Sequence, residues 1–113
     1  MGIIEKLRLD GKTAFVTGGA RGIGKSVATA FCEAGADVAI VDLDLDEAEK
    51  TAAALAAGTG ARTLAVRADV TDPADVDAMM ASILARYGKL DVAFCNAGIC
   101  RNIPAEEMSY EQW

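Results

Sequence analysis

The sequence predicts an α/β fold, a parallel sheet covered by helices on both faces. Three observations carry this. Four short β-rich runs alternate with three longer helical ones, the pattern of consecutive βαβ units. The strand-like runs are apolar at successive positions, as strands covered on both sides must be. Glycine or an Asp–Pro pair stands at most junctions, where helices start and stop.

Thr13-Ala14-Phe15-Val16 is a short apolar run ending at a glycine cluster, and reads as a buried strand. A helix follows from Gly22 to Ala34, with Ile23, Val27 and Phe31 spaced by four as its expected apolar stripe and Gly35 as its stop. Asp37 to Val41 is the second strand. The acidic stretch Asp42 to Asp46 suits a helix entrance, and Leu45, Ala48, Ala52, Leu55 and Ala56 form the stripe that follows. Gly58 and Gly60 are expected to end this helix. Thr63 to Val66 is the third strand. Asp72-Pro73 starts the third helix, Asp as cap and Pro at the first helical position. Val76, Met79, Met80, Ile83, Leu84 and Tyr87 then recur at helical spacing until Gly88. Asp91 to Cys95 is the fourth strand, Gly98 to Met108 a loop. Ser109-Tyr110-Glu111-Gln112 is a capping-box start.

Composition sets the bounds. The chain has 113 residues, enough for one domain, and 52% of them are hydrophobic, too many for a disordered tail. Aromatics are only 5%, so Ala, Val, Leu and Ile must fill the core. The net charge of −6 with no basic run argues against nucleic acid or an anionic membrane surface as partner. No apolar stretch approaches the roughly 20 residues of a membrane span, and Met1 to Lys6 has no signal-like apolar region. Three cysteines, Cys32, Cys95 and Cys100, show no CxxC spacing and fit a reduced, cytoplasmic setting. Without histidine, the usual zinc ligand set is missing and no metal site is expected.

The stretch that carries chemistry is Thr17-Gly18-Gly19-Ala20-Arg21-Gly22-Ile23-Gly24, between a strand and a helix. A pyrophosphate sits well at a helix N-terminus, where free N–H groups and the dipole favour negative charge. Gly18, Gly22 and Gly24 would leave room for the turn, the phosphate and close helix–strand packing. A side chain at Gly22 is expected to crowd both the phosphate and that packing. A tight turn without a ligand explains the glycines equally well. Asp42 tips the balance toward a dinucleotide. It closes the second strand 24 residues after Gly18, near where an acidic residue accepts bonds from the adenosine ribose. Asp42 as a simple helix cap is the alternative.

Taken together, these motifs resemble the short-chain dehydrogenase/reductase family along the whole chain. TGGARGIG at Thr17 to Gly24 is similar to that family's TGxxxGIG. Asp69-Val70, after the third strand, resembles its adenine-contacting pair, and Asn96-Ala97-Gly98, after the fourth, its NAG motif. The resemblance implies a Rossmann-type doubly wound parallel sheet, the first half of that fold, in strand order 3-2-1-4 within three αβα layers. It implies an NAD(P)-dependent oxidoreductase that interconverts an alcohol and a carbonyl. Gly18, Arg21, Gly22, Ile23 and Gly24 would form the pyrophosphate loop. Asp42 and Leu43 would meet the adenosine ribose, Asp69 and Val70 would flank adenine, and Asn96, Ala97 and Gly98 would pass beneath the nicotinamide-side ribose.

The cofactor expected is NAD rather than NADP, because Asp42 would repel a 2′-phosphate, Leu43 offers no compensating cation and Asp44 adds charge of the wrong sign. Arg21 and Lys25 speak the other way. The stretch from Asn96 to Trp113 looks like polyol and ketose members, with a 3-oxoacyl reductase as the alternative within the family. A small-molecule alcohol or carbonyl substrate and a homo-oligomer, tetramer or dimer, are implied.

One part of the family pattern is missing. No tyrosine has a lysine four positions on, and neither Tyr87-Gly88-Lys89 nor Ser82 fits the catalytic set. No catalytic residue is therefore assigned. Residues 1–113 are expected to be an NAD(P)-binding domain truncated before the catalytic half, inactive alone. A non-catalytic dinucleotide-binding module is the alternative from another class.

Overall fold

A computed structural model describes residues 6–96. Ala97, Gly98, the expected loop after them and the capping-box segment lie outside the described residues. Among the residues described from Thr13 on, four strands and three helices alternate: β1 (Thr13–Thr17), α1 (Gly22–Glu33), β2 (Asp37–Asp42), α2 (Leu45–Thr59), β3 (Thr63–Arg67), α3 (Pro73–Tyr87) and β4 (Val92–Cys95). The sheet is parallel in the order β3-β2-β1-β4. This is the doubly wound topology expected above.

Alternation along each strand sorts the core into two faces. Ala14, Val16, Val38 and Ile40 point to one side, where Ala28 and Cys32 of α1 and Ala48, Ala52 and Leu55 of α2 cover them. Phe15, Ala39 and Val41 point to the other, where Met79 and Ile83 of α3 pack. The result is three layers with the strands between. Among the described residues, β3 and β4 form the sheet's edges.

The helix ends follow local chemistry. Asp44 caps α2, its carboxylate accepting from the Glu47 N–H at 3.1 Å. Asp72 caps α3 by accepting from the Ala74 N–H at 3.0 Å, with Pro73 beginning the helix. At the other end of α3, Gly88 takes a left-handed conformation, φ 79°, that L side chains disfavour, and its N–H bonds the Leu84 carbonyl.

Several expectations need correction. The buried stripe of α1 is Gly24, Ala28 and Cys32, one residue on from Ile23, Val27 and Phe31. Ile23 is 72% exposed, while Val27 and Phe31 only flank the core. Small residues win the central positions because they let the helix backbone approach the sheet closely. Gly58 lies inside α2, and only Gly60 ends it. Leu84 is exposed, because α3 meets the sheet along the narrower line of Met79 and Ile83. Cys95, at the end of a strand whose apolar run suggested cover on both faces, is exposed on the edge strand β4.

Tyr87 ties α3 to the sheet. Its hydroxyl donates to the Arg62 carbonyl at 2.9 Å, and the Arg62 guanidinium lies 5.6 Å from its ring centre. Burial raises its pKa from 10.0 to about 12, and burial likewise raises that of Cys32 from 9.0 to about 11. Both groups are neutral when protonated, so the fold retains protons that the unfolded chain gives up at lower pH. Their contribution to stability is intact below the unfolded values and falls as pH rises from about 9 to about 12. Tyr87→Phe is expected to lower stability by about 1 kcal/mol at neutral pH, the size of one net hydrogen bond. It should also remove the part of the alkaline loss above pH 10. Urea midpoints at pH 8 and pH 11 check both; an equal alkaline loss in the variant would assign that loss to other groups.

Candidate functional site

The C-terminal ends of all four strands lie along one margin of the sheet. Thr17 is in register with Val41 and with Cys95, and Asp42 with Arg67. The segments leaving these ends are the glycine turn, Asp42–Leu43–Asp44, Ala68–Asp69–Val70 and Asn96. This is the margin at which open α/β sheets bind ligands. The fold thus brings Gly18, Arg21, Gly22, Ile23, Gly24, Asp42, Leu43, Asp69, Val70 and Asn96 to one edge of the molecule.

The glycine turn is fixed from several sides. The Gly19 N–H donates to the Val41 carbonyl at 3.2 Å. The Ala20 N–H donates to Asp42 Oδ2 at 3.2 Å. The buried Thr51 hydroxyl of α2 donates to the Ala20 carbonyl at 2.7 Å. Across the turn, the Asn96 N–H donates to Thr17 Oγ1 at 2.9 Å. Gly18 and Gly22 adopt φ of 65° and 62°, a region that non-glycine residues enter only at a cost.

The glycines have separate tasks. A Cβ on Gly24 would lie 2.1 Å from the Gly18 carbonyl oxygen and 3.0 Å from Asn96 Nδ2. Gly24 is therefore where α1 passes closest to the turn. A Cβ on Gly22 would meet nothing within 4 Å. This corrects the expectation that a side chain at Gly22 would crowd the helix–strand packing: it would project into open space in front of α1.

That open space lies before an uncapped helix. The Arg21 side chain makes no capping bond, and the first turn of α1 carries no acidic residue. By contrast, α2 and α3 are each capped by an aspartate and carry acids in their first turns. The N–H groups and positive dipole end of α1 thus face outward beside a glycine with room in front of it, which suits an anion.

Asp42 holds its carboxylate still. Oδ2 accepts from Ala20 and Oδ1 from the Asp44 N–H at 3.1 Å. A carboxylate has about four acceptor positions, so each oxygen retains one for a ligand hydroxyl. Leu43 is 60% exposed, an apolar side chain presented at the same margin. Asp69 folds back on its own turn, accepting from the Thr71 hydroxyl at 2.6 Å and the Thr71 N–H at 2.9 Å. These bonds, the hydroxyl's first, hold its carboxyl below the usual carboxylate range. The Asp69 N–H donates to Asp75 Oδ2 at 2.8 Å, which anchors the turn to α3.

Sequence reasoning missed Thr51 and the pairing of Asp44 with Arg21. Thr51 stands between Ala48 and Leu55 on the apolar stripe of α2, and a hydroxyl on such a stripe is a signal that it has a polar partner across the interface.

A parallel sheet in this order, with a glycine turn opening its first helix, defines the dinucleotide-fold class of α/β proteins. Within that class, the family model described as short chain dehydrogenase matches residues 12–113, and the chain belongs to that family. The chain is 43% identical over 106 residues to the D-threitol dehydrogenase of Mycolicibacterium smegmatis, covering 94% of this chain and 40% of that protein. It is similar to the crystal structure of a short-chain type dehydrogenase/reductase from Mycobacterium marinum, with a TM-score of 0.83 and 39% identity, over 98% of this chain and 44% of that one. It is also similar to the L-sorbose reductase of Gluconobacter frateurii, whose structure is a complex with NADPH and L-sorbose; the TM-score is 0.81 at 34% identity, over 95% of this chain and 41% of that one. The chain thus spans well under half the length of these relatives. No helix among the described residues is long and apolar enough to cross a membrane.

Proposed function

We propose that the glycine turn and the first turn of α1 bind the pyrophosphate of NAD, and that the whole protein is an oxidoreductase interconverting an alcohol and a carbonyl of the polyol or ketose type. The observation that carries this is the uncapped N-terminus of α1 behind Gly22, with nothing within 4 Å of where a Cβ would stand. In this reading Gly18, Arg21, Gly22, Ile23 and Gly24 line the pyrophosphate. Asp42 and Leu43 meet the adenosine ribose, Asp69 and Val70 flank adenine, and Asn96, Ala97 and Gly98 run beneath the second ribose.

When bound, the dinucleotide supplies or accepts the hydride. The residues of this chain bind and orient it. Asp42 favours NAD over NADP: its carboxylate has acceptor positions for two ribose hydroxyls, whereas a 2′-phosphate would bring like charges together. The threitol dehydrogenase and sorbose reductase relatives support the polyol or ketose class. No acid–base residue is assigned among these 113: four positions after Tyr87 stands Asp91, where the family pattern has lysine. A cytoplasmic setting and a dimer or tetramer of the whole protein belong to the same proposal and rest on the family resemblance.

Steady-state kinetics of the whole protein test it, with sugar alcohols and ketoses against both cofactors. The expected result is a higher kcat/KM with NAD(H) than with NADP(H). A preference for NADP(H) would overturn the cofactor assignment, and no turnover with any polyol or ketose the substrate class.

A further inference from the structure

The mouth of the site is crossed by one ion pair. Arg21 Nη2, in the glycine turn, lies 2.8 Å from Asp44 Oδ2, in the turn between β2 and α2. Asp44 is well held for this. Its Oδ1 accepts from the Glu47 N–H at 3.1 Å, and its own N–H donates to Asp42 Oδ1 at 3.1 Å. One carboxylate oxygen thus caps α2 while the other is presented to Arg21. The two side chains are 66% and 45% exposed, so a ligand can reach the pair and compete for it.

We infer that Asp44 is a specificity-determining residue of the dinucleotide site, acting through Arg21. It holds the guanidinium across the gap between the two turns and so withholds the one cation of the glycine turn from a 2′-phosphate. This rests on the dinucleotide function proposed above. A phosphate carries about −1.5 to −2 charge at neutral pH, and it would have to compete for Arg21 with the Asp44 carboxylate already paired to Nη2. Asp42 discriminates directly, by what it offers a bare ribose; Asp44 discriminates by occupying the residue that would otherwise favour the phosphorylated one. Arg21, which by sequence argues for NADP, is in this structure already paired with Asp44.

A double-mutant cycle tests this. NAD+ and NADP+ binding are measured by calorimetry on the whole protein as wild type, Asp44→Asn, Arg21→Gln and the double variant. Asparagine keeps a side-chain acceptor for the Glu47 N–H and so preserves the cap, while removing the charge. An exposed ion pair couples its partners by about two- to fivefold in an equilibrium constant. Asp44→Asn is therefore expected to shift the NADP+/NAD+ affinity ratio toward NADP+ by about fivefold, and Arg21→Gln to cancel that gain. Equivalently, Arg21→Gln should cost more NADP+ affinity in the Asp44→Asn background than in the wild type. A gain that survives Arg21→Gln would mean that Asp44 acts by its own charge, and overturns the role given to Arg21. An unchanged ratio with NAD+ still bound overturns Asp44 as a determinant while leaving the dinucleotide site standing. Failure of the wild type to bind either dinucleotide overturns the site itself.

Discussion

Gly24→Ala is expected to break both the fold around the turn and dinucleotide binding. The added Cβ would sit 2.1 Å from the Gly18 carbonyl oxygen and 2.7 Å from its carbon. Both are backbone atoms, in a turn held by Val41, Asp42, Thr51 and Asn96, so neither can rotate away. The helix must lift from the sheet, opening the contacts of Ala28 and Cys32, both buried. Overpacking of this kind costs about 1–3 kcal/mol and occasionally more; rigid backbone on the other side puts Gly24→Ala at the top of that range or above. Gly22→Ala is the control, because its Cβ meets nothing and the cost is confined to the positive φ, about 1–2 kcal/mol. Urea midpoints of the two variants separate steric from conformational cost. Equal midpoints would show that α1 does not depend on close approach at Gly24.

Ile83→Ala should cost about as much, for the opposite reason. Ile83 is fully buried and, with Met79, forms the contact of α3 with Phe15, Ala39 and Val41. Truncation leaves a cavity that the neighbouring strands, locked in register, cannot collapse to fill. Large-to-small changes at such positions cost about 2–5 kcal/mol. Urea unfolding is expected to show a lower midpoint at an unchanged slope. A loss below about 1 kcal/mol would mean that α3 is not what holds this face of the sheet.

What the sequence revealed depended on how local the cause was. The caps Asp72-Pro73, Gly60 and Gly88 are set by one residue's backbone preference or one short hydrogen bond, and these were legible. So was the strand order, through the family resemblance that the motifs at the strand ends carry. The buried face of α1 was not legible from hydrophobicity. Ile23, Val27 and Phe31 are the more apolar set, yet Gly24, Ala28 and Cys32 are buried, because backbone approach rather than side-chain burial decides that contact. The bonds from Ala20 to Asp42, Thr51 to Ala20 and Arg21 to Asp44 join segments 22 to 31 residues apart. Only the closed fold brings those groups within reach, so no spacing rule exposes them. Sequence named the candidate residues; the structure supplied their surroundings, above all that Arg21 is already paired with Asp44.

The central claim is that the turn from Thr17 to Gly24 binds a dinucleotide and that the adjoining carboxylates select NAD. Equilibrium titration of the whole protein with NADH and NADPH, followed by nicotinamide fluorescence, tests it most directly. The account predicts saturable binding of one NADH per chain, tighter than NADPH by about tenfold or more, the equivalent of about 1.4 kcal/mol. No saturable binding of either, or tighter binding of NADPH, would contradict it.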